Sequence, residues 1–227
     1  VLSLNLRDDG VTVEYQQDGQ RQVIEADYCF NSIPSHFMNG IPNNLPTEYT
    51  QAMKYIRRGT AYKGAFQAKE RFWEKEGIYG GISWTNQPIR QVWYPPHGIH
   101  KAKGVVLAAY DYGNGMPFTR MTHEQRIEAM IAQGEKVHPN YRSMVEHGVT
   151  IAWHRMNHML GCSARWNVVT PEEEQIFSTL QRSVNGRHWL IGDQVSKHTA
   201  WMESAMQSAH VALAELDQRV RAEAASA

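Results

Sequence analysis

Residues His188 to His210 begin with an apolar segment, His188-Trp-Leu-Ile, pass through a Gly192-Asp193 pair and continue with helical composition. A strand that feeds a helix start through such a loop presents unpaired backbone N–H groups and the positive end of the helix dipole. It therefore suits a phosphorylated or anionic cofactor group. Gly192 lets backbone come close to a ligand, and the Asp193 carboxylate is an acceptor for sugar-like hydroxyls. Thr199 is expected to cap the helix and Glu203 to lie in its first turn, while Ser204, Ala205, Ser208, Ala209 and Ala212 allow close packing. The plainer reading of the same residues is a final helix docked on a sheet.

A second residue that invites chemistry is Lys63, set inside the strand-like run Tyr62-Lys-Gly-Ala-Phe-Gln-Ala68. A lysine that faces a core must be paired, neutralised or functional, whereas on the solvent face it needs no explanation. Alternation alone leaves both faces open. His154, His158 and Cys162 fall at i, i+4 and i+8, the spacing that aligns three zinc ligands on a helix. The segment begins as a strand and contains Gly161, so no metal site is expected. There is no Gly-x-Ser-x-Gly elbow, and Gly77-Ile-Tyr-Gly-Gly81 has neither the spacing nor the following helix of a phosphate-binding loop. Hydrolase and P-loop chemistry are thereby unsupported. Aromatic residues gather in the middle and the tail, among them Trp73, Trp84, Trp93, Tyr110, Trp153, Trp166 and Trp201. Most belong to a core, and a flat aromatic-lined cavity would also suit a planar cofactor.

The elements that must position these residues read as follows. Residues 1–34 alternate as a strand meander with turns at Asp8-Asp9-Gly10 and Asp18-Gly19. A helix is predicted over 47–56, strands over 62–68, 82–85, 90–94 and 105–110, and a further strand over 149–153. Thr122-His-Glu-Gln125 and Thr170-Pro-Glu-Glu173 have capping-box spacing and open two more helices. The fold class is α+β: a mixed, largely antiparallel sheet flanked by helices, followed by a C-terminal strand and helix, with a frayed tail over 221–227.

The 227 residues carry 23 basic and 23 acidic side chains, so no nucleic-acid surface or polybasic membrane patch is indicated. Two cysteines, Cys29 and Cys162, are too few for a disulfide framework, and no apolar run reaches membrane-spanning length. A small-molecule substrate and a cytoplasmic setting are the expectation, and the absence of an initiator Met at Val1 suggests a preceding segment or processing.

Four blocks then occur in order across nearly the whole chain: Val1-Leu-Ser-Leu-Asn-Leu with Ala26-Asp-Tyr-Cys-Phe-Asn-Ser-Ile-Pro34; Lys63 with Phe72-Trp73 and Glu76-Gly-Ile-Tyr-Gly-Gly-Ile-Ser83; Gly104-Val-Val-Leu-Ala-Ala-Tyr110; and Trp153-x7-Gly161 with Gly192-Asp193 and Trp201-Met202-Glu203. Together they resemble the C-terminal part of an FAD-dependent amine oxidase, most of all the L-amino acid oxidase branch. The resemblance implies oxidative deamination of an L-amino acid: hydride passes from Cα to flavin N5, and the products are a 2-oxo acid, ammonia and hydrogen peroxide. It implies that Val1 contacts the adenine and that Lys63 holds a water against N5. Tyr110 would bind the substrate carboxylate, Trp153 and Trp201 would flank the flavin ring and substrate, and the Met202 N–H would face the pyrimidine edge. Gly192 and Asp193 would serve the cofactor.

The same resemblance divides the chain into an FAD-binding part over 1–34 and 160–220 and a substrate-binding part over 35–159. Two features of the family are not found. One is the Gly-x-Gly-x-x-Gly unit that clamps the diphosphate, and the other is the arginine for the substrate carboxylate, expected upstream. That unit is expected in cis or on a partner chain, so the isolated chain is expected to be inactive, and a homo-oligomer is expected. The chain also carries Gly-Asp-Gln where many relatives have Gly-Glu-x. Tyr112 and Ser163 fall on side-chain pocket positions and favour a polar or basic amino acid. The alternatives are a monoamine or polyamine oxidase of the same superfamily, and a non-catalytic fragment that needs a partner chain.

Overall fold

The computed structural model describes residues 1–113, 116–166, 168 and 170–226. They form two compact units, Val1–Arg58 together with Ser163–Ala227, and Gly59–Cys162. The first unit opens with an antiparallel meander of β1 (Ser3–Leu6), β2 (Val11–Gln17) and β3 (Gln20–Ala26). Its second turn, Asp18-Gly19, has both residues at positive φ, 51° and 80°, the two-residue geometry that matches strand twist. β4 (Cys29–Asn31), α1 (Ser35–Met38), α2 (Thr47–Tyr55) and β5 (Arg57–Arg58) follow.

The second unit is built on β6 (Ala61–Ala68), α3 (Phe72–Lys75), β7 (Ile82–Trp84), β8 (Gln91–Trp93), β9 (Gly104–Tyr112), α4 (Met116–Thr119), α5 (His123–Gly134), α6 (Tyr141–Met144) and β10 (Val145–Ala152). Five of these strands form one antiparallel sheet in the order β10-β6-β9-β8-β7. One face is packed: Tyr62, Phe66, Val106 and Tyr94 are buried in a core with Phe118, Met130 and Tyr141. The period of two sends Lys63 to the opposite face, and in β9 a bulge opposite Gly64–Ala65 shifts the phase by one residue after Val106, so Tyr110 and Tyr112 join Lys63 there. The Thr122–Gln125 capping box closes as expected at the start of α5.

Gly134, the last residue of α5, shows how tight that core is. A Cβ at this position would stand 2.5 Å from Cδ1 of the Tyr141 ring, which is almost fully buried. Gly134→Ala is therefore expected to destabilise. Overpacking costs about 1–3 kcal/mol, which exceeds the ~1 kcal/mol that alanine gains in helix propensity. Urea unfolding of the two proteins measures the sign, and a more stable alanine variant would show that the ring yields freely.

The chain then returns to the first unit through β11 (Ala164–Arg165), antiparallel to β5, and α7 (Pro171–Gln181), whose Thr170–Glu173 capping box is also formed. β12 (His188–Leu190) pairs in parallel with β4, and α8 spans Met202–Ser226. The core of this unit gathers Leu4, Leu6, Val11, Met38, Met53, Leu180 and Leu190. Residues 35–58, expected with the substrate-binding part, lie in the first unit because α2 packs on α7. Tyr49 Oη donates to the Leu180 carbonyl at 3.4 Å, and Tyr55 Oη donates to Glu173 at 2.9 Å.

Three local expectations are corrected. The final helix starts at Met202 rather than after Thr199, because a 3₁₀ turn at Asp193–Val195 and an irregular stretch intervene. The helix continues through the expected tail to Ser226, supported by the i,i+4 ion pairs Asp217–Arg221 and Arg219–Glu223. Trp153 leaves the strand and opens a 3₁₀ turn, Trp153–Arg155. No described helix is long and apolar enough to cross a membrane.

Candidate functional site

In the second unit Lys63 lies on an interior strand, between Ile151 of β10 and Tyr110 of β9. Its Nζ stands over the Tyr110 ring, 4.5 Å from the centroid, a cross-strand cation–π contact. Tyr110 also meets Tyr112 edge-on at 5.5 Å and Trp93 at 5.9 Å. Burial, and then the neighbouring Cys162 and Tyr112, push the Tyr110 phenol above its ordinary pKa, so at neutral pH it keeps its proton and is a donor. Tyr112 is more than half exposed at the end of β9. Trp153 follows Ala152, whose strand partner is Tyr62, so it stands at the same end of the sheet as Tyr112, the partner of Ala61. Arg155 Nη1 donates to the Thr119 carbonyl at 2.7 Å and fixes that 3₁₀ turn.

In the first unit the Gly192–Asp193 turn is tied at two points, to α8 and to the loop that leads into it. The Gly192 N–H donates to Ser208 Oγ at 2.8 Å, and Asp193 Oδ2 accepts the Ala200 N–H at 2.9 Å. Gly192 has φ 105° and ψ 176°, a conformation open in practice to glycine alone, and the nearest atoms to a Cβ built there are 3.9 Å away. Those atoms belong to the Gln194 side chain, at ordinary van der Waals distance. The first N–H groups of α8 have no helical acceptors, and Trp201 and Met202 beside them are 70% and 86% exposed. Ser163 leads into β11, and Val1, half exposed, precedes the first strand.

The expected residues thus fall in two sets, Lys63, Tyr110, Tyr112 and Trp153 in one unit, and Val1, Ser163, Gly192, Asp193, Trp201 and Met202 in the other. His154 sits in the 3₁₀ turn and His158 has φ 65°, so the helix that would align them with Cys162 does not form. Among the described residues no group of three metal-ligating side chains comes together. Sequence reading placed Trp93, whose ring sits against Tyr110, only among the general run of aromatics, and it assigned no role to Gln194, buried directly after Asp193. Neither has a periodic or motif signal; both matter through their neighbours in space.

The fold is that of the amine oxidases. It superposes on a triple mutant of putrescine oxidase with a TM-score of 0.77 at 15% identity, covering 96% of this chain and 48% of that one. Cyclohexylamine oxidase from Brevibacterium oxydans gives 0.74 at 15% identity, covering 95% and 47%. A family model described as flavin containing amine oxidoreductase matches residues 1–214, and the chain belongs to that family, whose cofactor is FAD. Similar proteins include the flavin-dependent L-tryptophan oxidase RebO of Lentzea aerocolonigenes, 29% identical over 96% of this chain and 47% of its own length. An L-amino-acid oxidase of Siganus canaliculatus is 26% identical over 88% and 39%. The chain spans about half the length of the curated relatives it matches.

The residues present fit such a cofactor. A glycine backbone that carries no side chain, a carboxylate and the N–H end of a 25-residue helix form a donor and acceptor set suited to polyol hydroxyls and to the carbonyl edge of a heteroaromatic ring.

Proposed function

We propose that the protein carrying this chain oxidises an L-amino acid with FAD and dioxygen. The observation that carries the reading is the Lys63–Tyr110 pair: an ammonium and a protonated phenol held side by side on two paired strands. The L-amino acid oxidases among the relatives, 24–29% identical, support the same class. FAD, when bound, would supply the two-electron oxidation of the substrate Cα–N bond to an imino acid, which water hydrolyses to a 2-oxo acid and ammonia, with dioxygen reduced to hydrogen peroxide.

The chain supplies the surroundings. Tyr110 Oη donates to the substrate carboxylate, and Lys63 Nζ holds a water at the reacting edge. Trp153 and Trp201 confine the planar groups. Gly192, Asp193 and the Met202 N–H receive the ribityl and pyrimidine portions, with the helix dipole favouring negative charge there. Val1 takes the adenine end, and Tyr112 and Ser163 line the side-chain pocket. The diphosphate clamp and the carboxylate-binding arginine belong to a further segment, in cis or on a partner chain. The parallel β4–β12 pair supports this, since parallel strands are normally found inside larger sheets.

A peroxide assay of the full-length protein against L-amino acids and free amines tests the reading. Activity on amino acids is expected, highest for polar or basic side chains. Tyr110→Phe is expected to lower their kcat/KM about 10- to 10²-fold, as loss of a hydrogen bond to a charged group does. Turnover of free amines with none of amino acids would overturn the reading in favour of a monoamine or polyamine oxidase. Highest kcat/KM for Leu or Phe would overturn the pocket assignment alone.

A further inference from the structure

We propose that Gln194 is a positioning residue for the cofactor turn: it locks Gly192–Asp193 in the shape that receives the flavin end of FAD. The inference rests on the cofactor placement proposed above and concerns a residue that touches no substrate.

Gln194 is 2% exposed, and its amide makes four bonds. Oε1 accepts the Ser35 N–H at 3.0 Å and Arg58 Nη2 at 3.0 Å. Nε2 donates to the Ile33 carbonyl at 3.1 Å and to the Ile191 carbonyl at 3.1 Å. An amide has two donor hydrogens and two acceptor lone pairs, so all four are used. The Gln194 main-chain carbonyl also accepts Trp166 Nε1 at 2.6 Å.

The partners explain what the residue does. Ile33 and Ser35 follow β4, Ile191 follows β12, Arg58 ends β5, and Trp166 directly follows β11. Arg58 and Ser163 are also where the chain leaves the first unit and re-enters it. The side chain therefore ties the 3₁₀ turn Asp193–Val195 to the segments that follow the parallel strand pair and to Arg58, while the main-chain carbonyl of the same residue ties the turn to Trp166. Gly192 and Asp193 are fastened on their other side to Ser208 of α8 and to Ala200 in the loop before it. With its own φ of 105°, Gly192 has a backbone that drifts readily, and the two sets of bonds hold it. A fully satisfied buried network of this kind rigidifies, whereas a partly satisfied one loosens what it supports.

The substitutions separate these contributions. Gln194→Met keeps the length and removes all four amide bonds. Gln194→Glu keeps the acceptors for Ser35 and Arg58, but when ionised it turns a carboxylate oxygen on two carbonyls. Trp166→Phe removes one bond to the turn and keeps an aromatic ring against Phe177, so it reads the same function if the Gln194 variants fold poorly.

The test is FAD affinity of the full-length protein, measured by quenching of flavin fluorescence at pH 5 to 8, with thermal unfolding of the flavin-free protein as control. The FAD dissociation constant is expected to rise about tenfold or more in Gln194→Met, which loses four bonds; tenfold corresponds to about 1.4 kcal/mol. A smaller rise of about 3-fold is expected for Trp166→Phe. In Gln194→Glu the loss is expected to shrink as pH falls and the carboxyl regains a donor hydrogen, a rescue that general loss of structure does not produce. Variants that bind FAD as wild type does, or a Gln194→Glu deficit independent of pH, would overturn the proposal. Wild-type protein that binds no FAD would overturn the cofactor placement, and the proposal with it, as a separately visible outcome.

Discussion

Lys63→Met is expected to slow the oxygen-dependent half-reaction of the full-length protein by a factor on the order of 10² or more, the scale typical of a positioned proton-transferring group. Methionine matches the length of the lysine stem and is compatible with the half-buried face between Ile151 and Tyr110. What it removes is the charge 4.5 Å from the Tyr110 centroid, together with the donor hydrogens that hold a water. The structural cost is small, since a cation–π contact contributes only about 0.5–1 kcal/mol at partly exposed sites. Stopped-flow mixing of the reduced protein with oxygen, followed at the flavin absorbance, measures the effect directly. An unchanged oxygen rate would remove Lys63 from the reaction. A large fall in melting temperature would instead mark the residue as structural, because the cation–π contact is too weak to produce one.

The second large effect is a loss of stability on acidification, traced to His188. This side chain is fully buried at the start of β12, and burial lowers its pKa to about 4. A bond with its own main chain opposes the shift weakly, whereas the contact with Asn31 acts in the same sense as burial. Asn31 Oδ1 accepts the Ile33 N–H at 2.9 Å, which turns Asn31 Nδ2 toward His188 Nε2 at 3.2 Å. Nε2 must therefore accept, the ring is neutral, and its proton is on Nδ1. Protonation of Nε2 would set two donors against each other in a buried place.

The unfolded chain takes up the proton near pH 6.5, before the folded one does. The stabilisation is thus complete above about pH 6.5 and declines as pH falls toward 4, by about 3 kcal/mol for a shift of this size. Below pH 4 both states are protonated and the loss stops growing. His188→Gln keeps an acceptor for Asn31 and does not titrate, so its urea-unfolding free energy is expected to fall less over the same range. Equal acid sensitivity in the two proteins would assign the loss to other groups.

Much of the local architecture was legible in the chain. The Asp18-Gly19 hairpin, the two capping boxes and the alternating run around Lys63 follow from bonds and torsions within a few residues, and they form as read. The family was legible too, in four ordered blocks that the matched residues 1–214 contain. The start of the final helix was misread because Thr199 offers a cap locally. The bond from Asp193 to Ala200 holds the intervening loop out of the helix instead.

What the amino-acid sequence determined by itself, then, is the longer elements and, through the ordered blocks, the family; the short helices α1, α3, α4 and α6 carry no such local signal. Only the tertiary structure decided which face of β6 carries Lys63, because a period of two fixes alternation and leaves its phase to the neighbouring strands. It alone revealed the duty of Gln194, whose partners Ser35, Arg58 and Ile33 are 159, 136 and 161 residues away in the chain. The tautomer of His188 was likewise set by Asn31, 157 residues distant. Short-range geometry is written in neighbouring residues, whereas buried polar groups are satisfied by whatever the fold brings beside them.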